Sequence, residues 1–241
     1  MVTNYLFVHI PKTAGTSFRA GLTKALGEDA VGSFLFSPRR LSQADVNRLD
    51  HHRAVVGHFS IEDAALFRKR YLLTIVRNPV NRCLSWYYYA HNHPSSRQLP
   101  DWRAAQECTV RDFFFLDRAI IFRNIFNRQV RQLGGHVLDS EINLRVALSR
   151  AKKTIRNAAW VGRVETLPDD LLRLRNSSPE FLDFELPKLN ITQNRQSQDA
   201  LDLDTISQIH LLNAFDLDLY CFATEEISRG AHGSAARAND P

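Results

Sequence analysis

Lys12-Thr13-Ala14-Gly15-Thr16-Ser17 gathers a cation, three hydroxyls and a glycine into one short stretch near the start of the chain. Ahead of it, the apolar run Tyr5-Leu6-Phe7-Val8 reads as a short buried strand. After it, Arg19 to Leu26 reads as a helix with Leu22 and Leu26 on one face. A strand that enters a tight turn and leaves through a helix start aims successive backbone N–H groups at one point, and nearby hydroxyls add donors. Lys12 places a mobile ammonium beside that nest. The chemistry this favours is the binding of a phosphate or phosphosulfate. A nucleotide P-loop would need G-x-x-x-x-G-K-[ST]; here Lys12 comes three residues before Gly15 and no glycine precedes it in the loop. On this stretch alone the remaining reading is an ordinary capped strand-to-helix turn.

A second group of donors follows the most apolar run of the chain, Tyr71-Leu72-Leu73-Thr74-Ile75-Val76, which has the pattern of a parallel strand covered on both faces. It ends at Arg77-Asn78-Pro79 and leads into a helix over about Val80 to His91, with Pro79 suited to the first turn. Arg77 and Ser85 lie eight residues apart on this unit. A guanidinium fork with a hydroxyl suits a second phosphate. Alternatively, Arg77 pairs with a carboxylate and Ser85 faces solvent.

These residues sit in a chain of 241 residues, 44% hydrophobic and 24% charged, the composition of one globular domain able to bury a core without disulfides. A net charge of +5 is modest. An anionic cofactor or acceptor accounts for it without invoking nucleic acid. Cys83, Cys108 and Cys221 are widely spaced and odd in number, which argues against a disulfide framework and for a reducing compartment. His51-His52 and His91-x-His93 lack carboxylate or cysteine partners at metal-ligand spacing, so no metal site is expected. No apolar run reaches the length of a membrane span, and the N-terminus enters a strand without a signal-like region. The expectation from these is a cytoplasmic protein.

The elements that must position the donors alternate. Val31 to Phe36 is followed by a break at Ser37-Pro38-Arg39-Arg40, then a short helix over Ser42 to Leu49 with Ser42 as cap. Ala54 to His58 is a buried strand, and Ile61 to Lys69 a helix opened by Ser60. Asp101 to Leu133 has a continuous helical pattern closed by Gly134-Gly135, and Leu144 to Thr154 is helical. Trp160 to Val164 is a late strand and Leu167 to Leu174 a helix. Asn176 to Gln198 is irregular, a candidate cofactor-covering loop, and Leu203 to Tyr220 a final helix. Strands alternating with helices imply an α/β fold of three layers, P-loop-like, with a mainly parallel central sheet flanked by helices. Residues 1–224 form that domain, and 225–241, rich in Ser, Gly, Ala, Asn and Pro, are expected to be a disordered tail.

Taken together, HIPKTAGTSF and IVRNPVNRCLSWYYY resemble the sulfotransferases that use 3′-phosphoadenosine 5′-phosphosulfate (PAPS), nearest to the carbohydrate branch that contains heparan sulfate 2-O-sulfotransferase. Weaker matches follow in order: VVGHFS, NRQVRQLGG, WVGRVETLPDDLLRL, LNITQNR and FDLDLYCFA, so the likeness runs over roughly residues 4 to 223. The resemblance implies that Lys12, Thr13, Ala14, Gly15, Thr16 and Ser17 surround the 5′-phosphosulfate and that Arg77 and Ser85 hold the 3′-phosphate. It implies that LNITQNR closes over the adenosine, with Arg195 as its candidate contact.

Sulfuryl transfer from PAPS to a hydroxyl acceptor, a carbohydrate or glycolipid, is the activity implied, by in-line displacement in which the protein positions groups and stabilises developing charge. Lys12 is suited to the charge growing on the leaving oxygen. The base is His58 or His9. His58 ends the second strand, free histidine has a pKa near 6.5 that suits general-base work, and the similar enzymes place their proposed base at the corresponding G-H. His9 precedes the loop directly, and Glu62 is a weaker third candidate. Arg123, Asn127, Gln129 and Arg131 form a basic, amide-bearing segment that either lines the acceptor site or is a solvated face. Trp86-Tyr87-Tyr88-Tyr89 reads as core with one ring free to face a sugar or base. Two other functions stand beside this one: a P-loop-like kinase, and a non-catalytic nucleotide-binding protein.

Overall fold

Tyr5–Val8, the first strand (β1), buries all four of its side chains, yet sends them to different places. Tyr5 and Phe7 join one apolar cluster, Leu6 and Val8 another. The same two-residue alternation divides β3 (Ala54–Gly57), β4 (Tyr71–Val76) and β5 (Trp160–Arg163). A sheet whose strands are apolar on both faces must be covered on both faces. That is the arrangement in the computed structural model, which describes residues 3–35, 39–93, 99–187 and 201–230.

The sheet has five strands in the order β2-β3-β1-β4-β5, all parallel, with β2 spanning Val31–Phe34. One face is covered by α1 (Gly15–Leu26), through Phe18 and Leu22, and later by α10 (Leu167–Ser177) through Leu167, Leu171 and Leu174. The opposite face takes α2 (Gln43–Leu49), α3 (Ile61–Ala64), α8 (Arg128–Gly134), α9 (Leu144–Asn157) and α12 (Ala214–Ser228). A third apolar cluster lies among α4 (Pro79–Asn92), α5 (Pro100–Glu107), α6 (Val110–Phe114), α7 (Arg118–Ile121) and α11 (Leu203–Leu212). The expected three-layer α/β fold with a parallel central sheet is therefore present.

Several elements differ from expectation for local reasons. Val31–Phe34 adds an edge strand, paired to β3. The helix expected over Ile61 to Lys69 ends at Ala64, because the chain tightens into three-residue turns (Leu66 N–H to Asp63 O and Phe67 N–H to Ala64 O, both 3.1 Å) and Lys69 turns left-handed at φ 56°. The single helical block expected over Asp101 to Leu133 is four short helices. Thr109 caps α6 by accepting from Asp112 N–H at 3.2 Å, Asp117 caps α7 by accepting from Ala119 N–H at 2.7 Å, and Asn127 stands at φ 40° before α8. At each of these three residues the backbone leaves the right-handed helical conformation before the next helix begins. The final helix is likewise two, broken at Asn213, and its second part runs to Ser228 with Ile227 buried, past the Thr224 boundary set for the domain. Among the described residues no helix is long and apolar enough to cross a membrane.

Strand order places the chemistry. From β1 the chain moves through α1 toward β2 at one edge, whereas from β4 it moves toward β5 at the other. Neighbouring parallel strands whose connections diverge leave a crevice at their carboxyl ends. The loop after β1 holds Lys12 and the loop after β4 begins with Arg77, so both donor groups open on that crevice.

Candidate functional site

After β1 the backbone takes a conformation that ordinary residues seldom adopt. Lys12 (φ 70°) and Ala14 (φ 61°) are left-handed on either side of Thr13, at a strain of order 1 kcal/mol each. Thr13, fully buried, donates its hydroxyl to Ile10 O at 2.8 Å and so closes the turn. Its side chain serves the loop, and of Lys12 to Ser17 it alone is absent from the cavity wall. Helix α1 then starts at Gly15 with Ala14 as its N-cap, without a side-chain cap or an acidic residue in its first turn. The first-turn donors of a twelve-residue helix are thus left to an external acceptor. Gly15 is required by close approach: a Cβ there would lie 1.9 Å from His9 Cδ2.

Arg77 is fixed to this loop directly. Its Nη1 donates to Lys12 O at 2.9 Å, across 65 residues of sequence. Its backbone is held by one amide side chain: Arg77 N–H donates to Gln129 Oε1 and Gln129 Nε2 donates to Arg77 O, both at 2.9 Å. Glu165 lies 4.0 Å from Arg77 Nε and accepts from Asn78 N–H at 3.1 Å and Tyr220 OH at 3.0 Å. Ser85, buried on α4, lines the same space.

That space is a cavity of about 690 Å³, within the range of small-ligand sites. Lys12, Ala14, Gly15, Thr16, Ser17, His58, Arg77 and Ser85 all open on it, as does His9. The two histidines differ in setting. His9 is buried, its ring 4.4 Å from that of His58 and packed against Gly15. Burial holds its pKa well below the usual histidine range, and the nearby His58, Lys12, Arg19 and Arg128 act in the same direction. His58 is half-buried, with its backbone N–H donating to Phe34 O at 3.1 Å. Lys12 Nζ stands 3.8 Å above the Tyr89 ring. From the aromatic run, Trp86 and Tyr89, one helical turn apart, face the cavity, and Tyr87 joins the apolar cluster of the helical layer.

The basic helical segment divides. Arg123 lines the cavity, whereas Asn127, Gln129 and Arg131 are buried and structural rather than solvated. Asn127 Oδ1 accepts from Phe215 and Asp216 N–H at 3.0 and 3.1 Å, and Arg131 donates to the carbonyls of Phe122 and Val137. Glu62 is exposed, bonded to Arg40 at 3.0 Å, and outside the cavity wall. Arg195 lies outside the described residues.

Sequence reasoning missed Arg39, Asp63, Asn124, Arg128 and His136, all on the wall. His136 Nδ1 accepts from Leu138 N–H at 3.2 Å, leaving Nε2–H to donate to Asp63 Oδ2 at 3.0 Å. Arg128 lies within the NRQVRQLGG stretch and His136 directly follows it, the one signal that could have found them. Among the described residues no cluster of His, Cys, Asp and Glu could hold a metal ion.

Comparison with known proteins bears on this geometry. The model of the Sulfotransferase family matches residues 3–223. Heparan-sulfate 6-O-sulfotransferase 1 of Homo sapiens is 27% identical over 278 aligned residues, covering 91% of this chain and 64% of the relative. Heparan-sulfate 6-O-sulfotransferase 1-B of Danio rerio is 29% identical over 187 residues, covering 66% of this chain and 44% of the relative. Heparan-sulfate 6-O-sulfotransferase 2 of Gallus gallus is 26% identical over 187 residues, again 66% and 44%. The chain thus spans between 44% and 64% of the length of these relatives, whose names carry 6-O where the motifs suggested a likeness to a 2-O enzyme.

Proposed function

We propose that this chain, which belongs to the sulfotransferase family, moves a sulfuryl group from PAPS to a hydroxyl of a carbohydrate acceptor. The observation that carries this reading is the hydrogen bond from Arg77 Nη1 to Lys12 O, which makes one site out of two anion-binding groups 65 residues apart. A donor with phosphates at both its 5′ and 3′ positions needs such a pair, whereas an ordinary nucleoside triphosphate does not. The uncapped start of α1 and the Lys12 ammonium fit the 5′-phosphosulfate, and Arg77 with Ser85 fits the 3′-phosphate. The relatives' names supply the acceptor class.

PAPS brings the sulfuryl group and a phosphate leaving oxygen. The chain's own residues bind, orient and move the proton. Thr16, Ser17 and the first N–H groups of α1 hold non-bridging oxygens, and Lys12 Nζ, drawn from the Tyr89 ring, meets charge growing on the leaving oxygen. His58 takes the acceptor proton at a ring nitrogen. It is favoured over His9 because it is half-buried at the cavity, whereas burial keeps His9 neutral and packed on Gly15. Trp86 and Tyr89 offer apolar faces to the adenine or a sugar ring.

The test is calorimetric binding of 3′-phosphoadenosine 5′-phosphate, the product nucleotide, with and without magnesium and against ATP. Metal-independent preference for the 3′-phosphorylated nucleotide is expected, and Arg77→Ala should weaken it about 10- to 100-fold, as loss of charge-assisted hydrogen bonds implies. Equal binding of ATP, or a requirement for magnesium, would sink the reading.

A further inference from the structure

Arg128 opens α8 and is 4% exposed, yet it stands on the cavity wall. Its known partners are neutral: Nε donates to Gln132 Oε1 at 3.1 Å and Nη1 to Arg123 O at 2.9 Å. Among the described residues no carboxylate forms an ion pair with it. The nearby cations Arg131, Arg82 and Arg123 repel it, and Asp101, which forms no ion pair with it, acts more weakly the other way. A buried guanidinium without a counter-ion is costly unless an anion arrives. Burial, first, and these cations, second, accordingly push its pKa well below the usual arginine range.

The place it guards is defined by Gln132. That side chain accepts from Arg128 and donates, through Nε2, to His9 O and Phe59 O, both at 3.0 Å. Arg128 is therefore held over the carboxyl ends of β1 and β3, beside the residues that bracket His58. Arg77 and Ser85 belong instead to the β4–α4 unit.

We propose that Arg128 forms an oxyanion subsite at the point of transfer, separate from the two phosphate sites, for an anionic oxygen group of the reacting pair. Resting on the sulfotransferase reading above, this has two sources with one chemistry: the sulfuryl oxygens of the donor, or an acidic substituent of the acceptor beside the reacting hydroxyl. The subsite explains why the fold keeps a cation where no carboxylate meets it.

The experiment compares the wild type with Arg128→Gln and Arg128→Lys. Binding of 3′-phosphoadenosine 5′-phosphate, which lacks the sulfuryl group, should stay within twofold for both variants, and the melting midpoint reports that both fold. If the donor is the source, affinity for PAPS itself should fall at least tenfold in Arg128→Gln and be partly restored in Arg128→Lys. If the acceptor is the source, PAPS binding should hold, while KM for a uronate-containing oligosaccharide rises at least tenfold and KM for its carboxyl-reduced form does not. The proposal is overturned if none of these changes exceeds twofold, or if the product nucleotide weakens as much as PAPS, which would make Arg128 a support of the nucleotide site. Failure of the wild type to bind the product nucleotide would instead undo the underlying functional reading.

Discussion

Two histidines of the same cavity are set apart by a few ångströms of surroundings. His9 and His58 lie 4.4 Å apart, but only His9 is sealed, and burial keeps it uncharged in the folded protein. The consequence for pH follows from linkage. A group whose folded pKa is depressed contributes stability that is present above its unfolded pKa, near 6.5, and lost as pH falls toward the folded value. Unfolding then takes up a proton that the native state refuses. Between pH 6.5 and 5 the wild type should therefore lose up to about 1.4 kcal/mol per pH unit through this group. His9→Gln removes the titration, and urea midpoints over that range should fall less steeply for the variant. Parallel slopes would mean that His9 takes up a proton in the native protein as readily as in the unfolded chain, and would reopen it as a rival to His58.

At the scale of elements, α8 is the part that makes the site one object. Gln129 grips Arg77 at the end of β4, and Gln132 grips the residues after β1 and β3. Asp216 fixes α8 in turn, accepting from Gln129 N–H at 3.0 Å and Val130 N–H at 2.7 Å in a fully buried position. Asp216→Ala leaves two buried donors unmet, at about 1–3 kcal/mol each, so a loss of about 3 kcal/mol in urea unfolding is expected. Asp216→Asn, which keeps an acceptor oxygen, should lose about half. An unchanged midpoint in Asp216→Ala would assign the anchoring of α8 to the Asn127–Asn213 pair, which also bridges it to α12. None of this was legible in the sequence, and the reason is physical. Helical periodicity registers that a segment coils but not where a Thr109 or Asp117 side chain restarts it, so four helices read as one. Gln129, Asn127 and Arg131 were read as a surface or acceptor-lining strip because amides and guanidinia are mostly exposed, whereas here each meets a backbone partner inside. What could be read was the opposite kind of feature: strands apolar on both faces, and donors placed where those strands end. Lys12, Gly15, Thr16, Ser17, Arg77, Ser85 and His58 come from local spacing, and the parallel sheet brings them together.

Across the whole molecule, the cavity lies where two separately packed bodies meet. Its floor is the carboxyl edge of the sheet, with cores on both faces, and its far wall carries Trp86, Trp102 and Arg123 from the helical layer, which has an apolar cluster of its own. A ligand that fills the cavity contacts both bodies and should therefore stabilise the chain as a unit. With the product nucleotide at a hundred times its dissociation constant, linkage gives about 2.7 kcal/mol. For a domain of this size that corresponds to a rise of roughly 5–10 °C in melting temperature. In Arg77→Ala, at the same concentration, affinity weakened about 30-fold leaves less than about 1 kcal/mol, and the shift should shrink to a few degrees. Differential scanning calorimetry reads both numbers without an acceptor. It also tests the two-body arrangement: a single transition that moves as a whole is expected, because the ligand adds contacts to both bodies where buried bonds such as Asn127 N–H to Asn213 Oδ1 already join them. Two transitions, with only one of them moved by the nucleotide, would show that the helical layer unfolds independently and that the bound phosphates are held by the sheet edge alone.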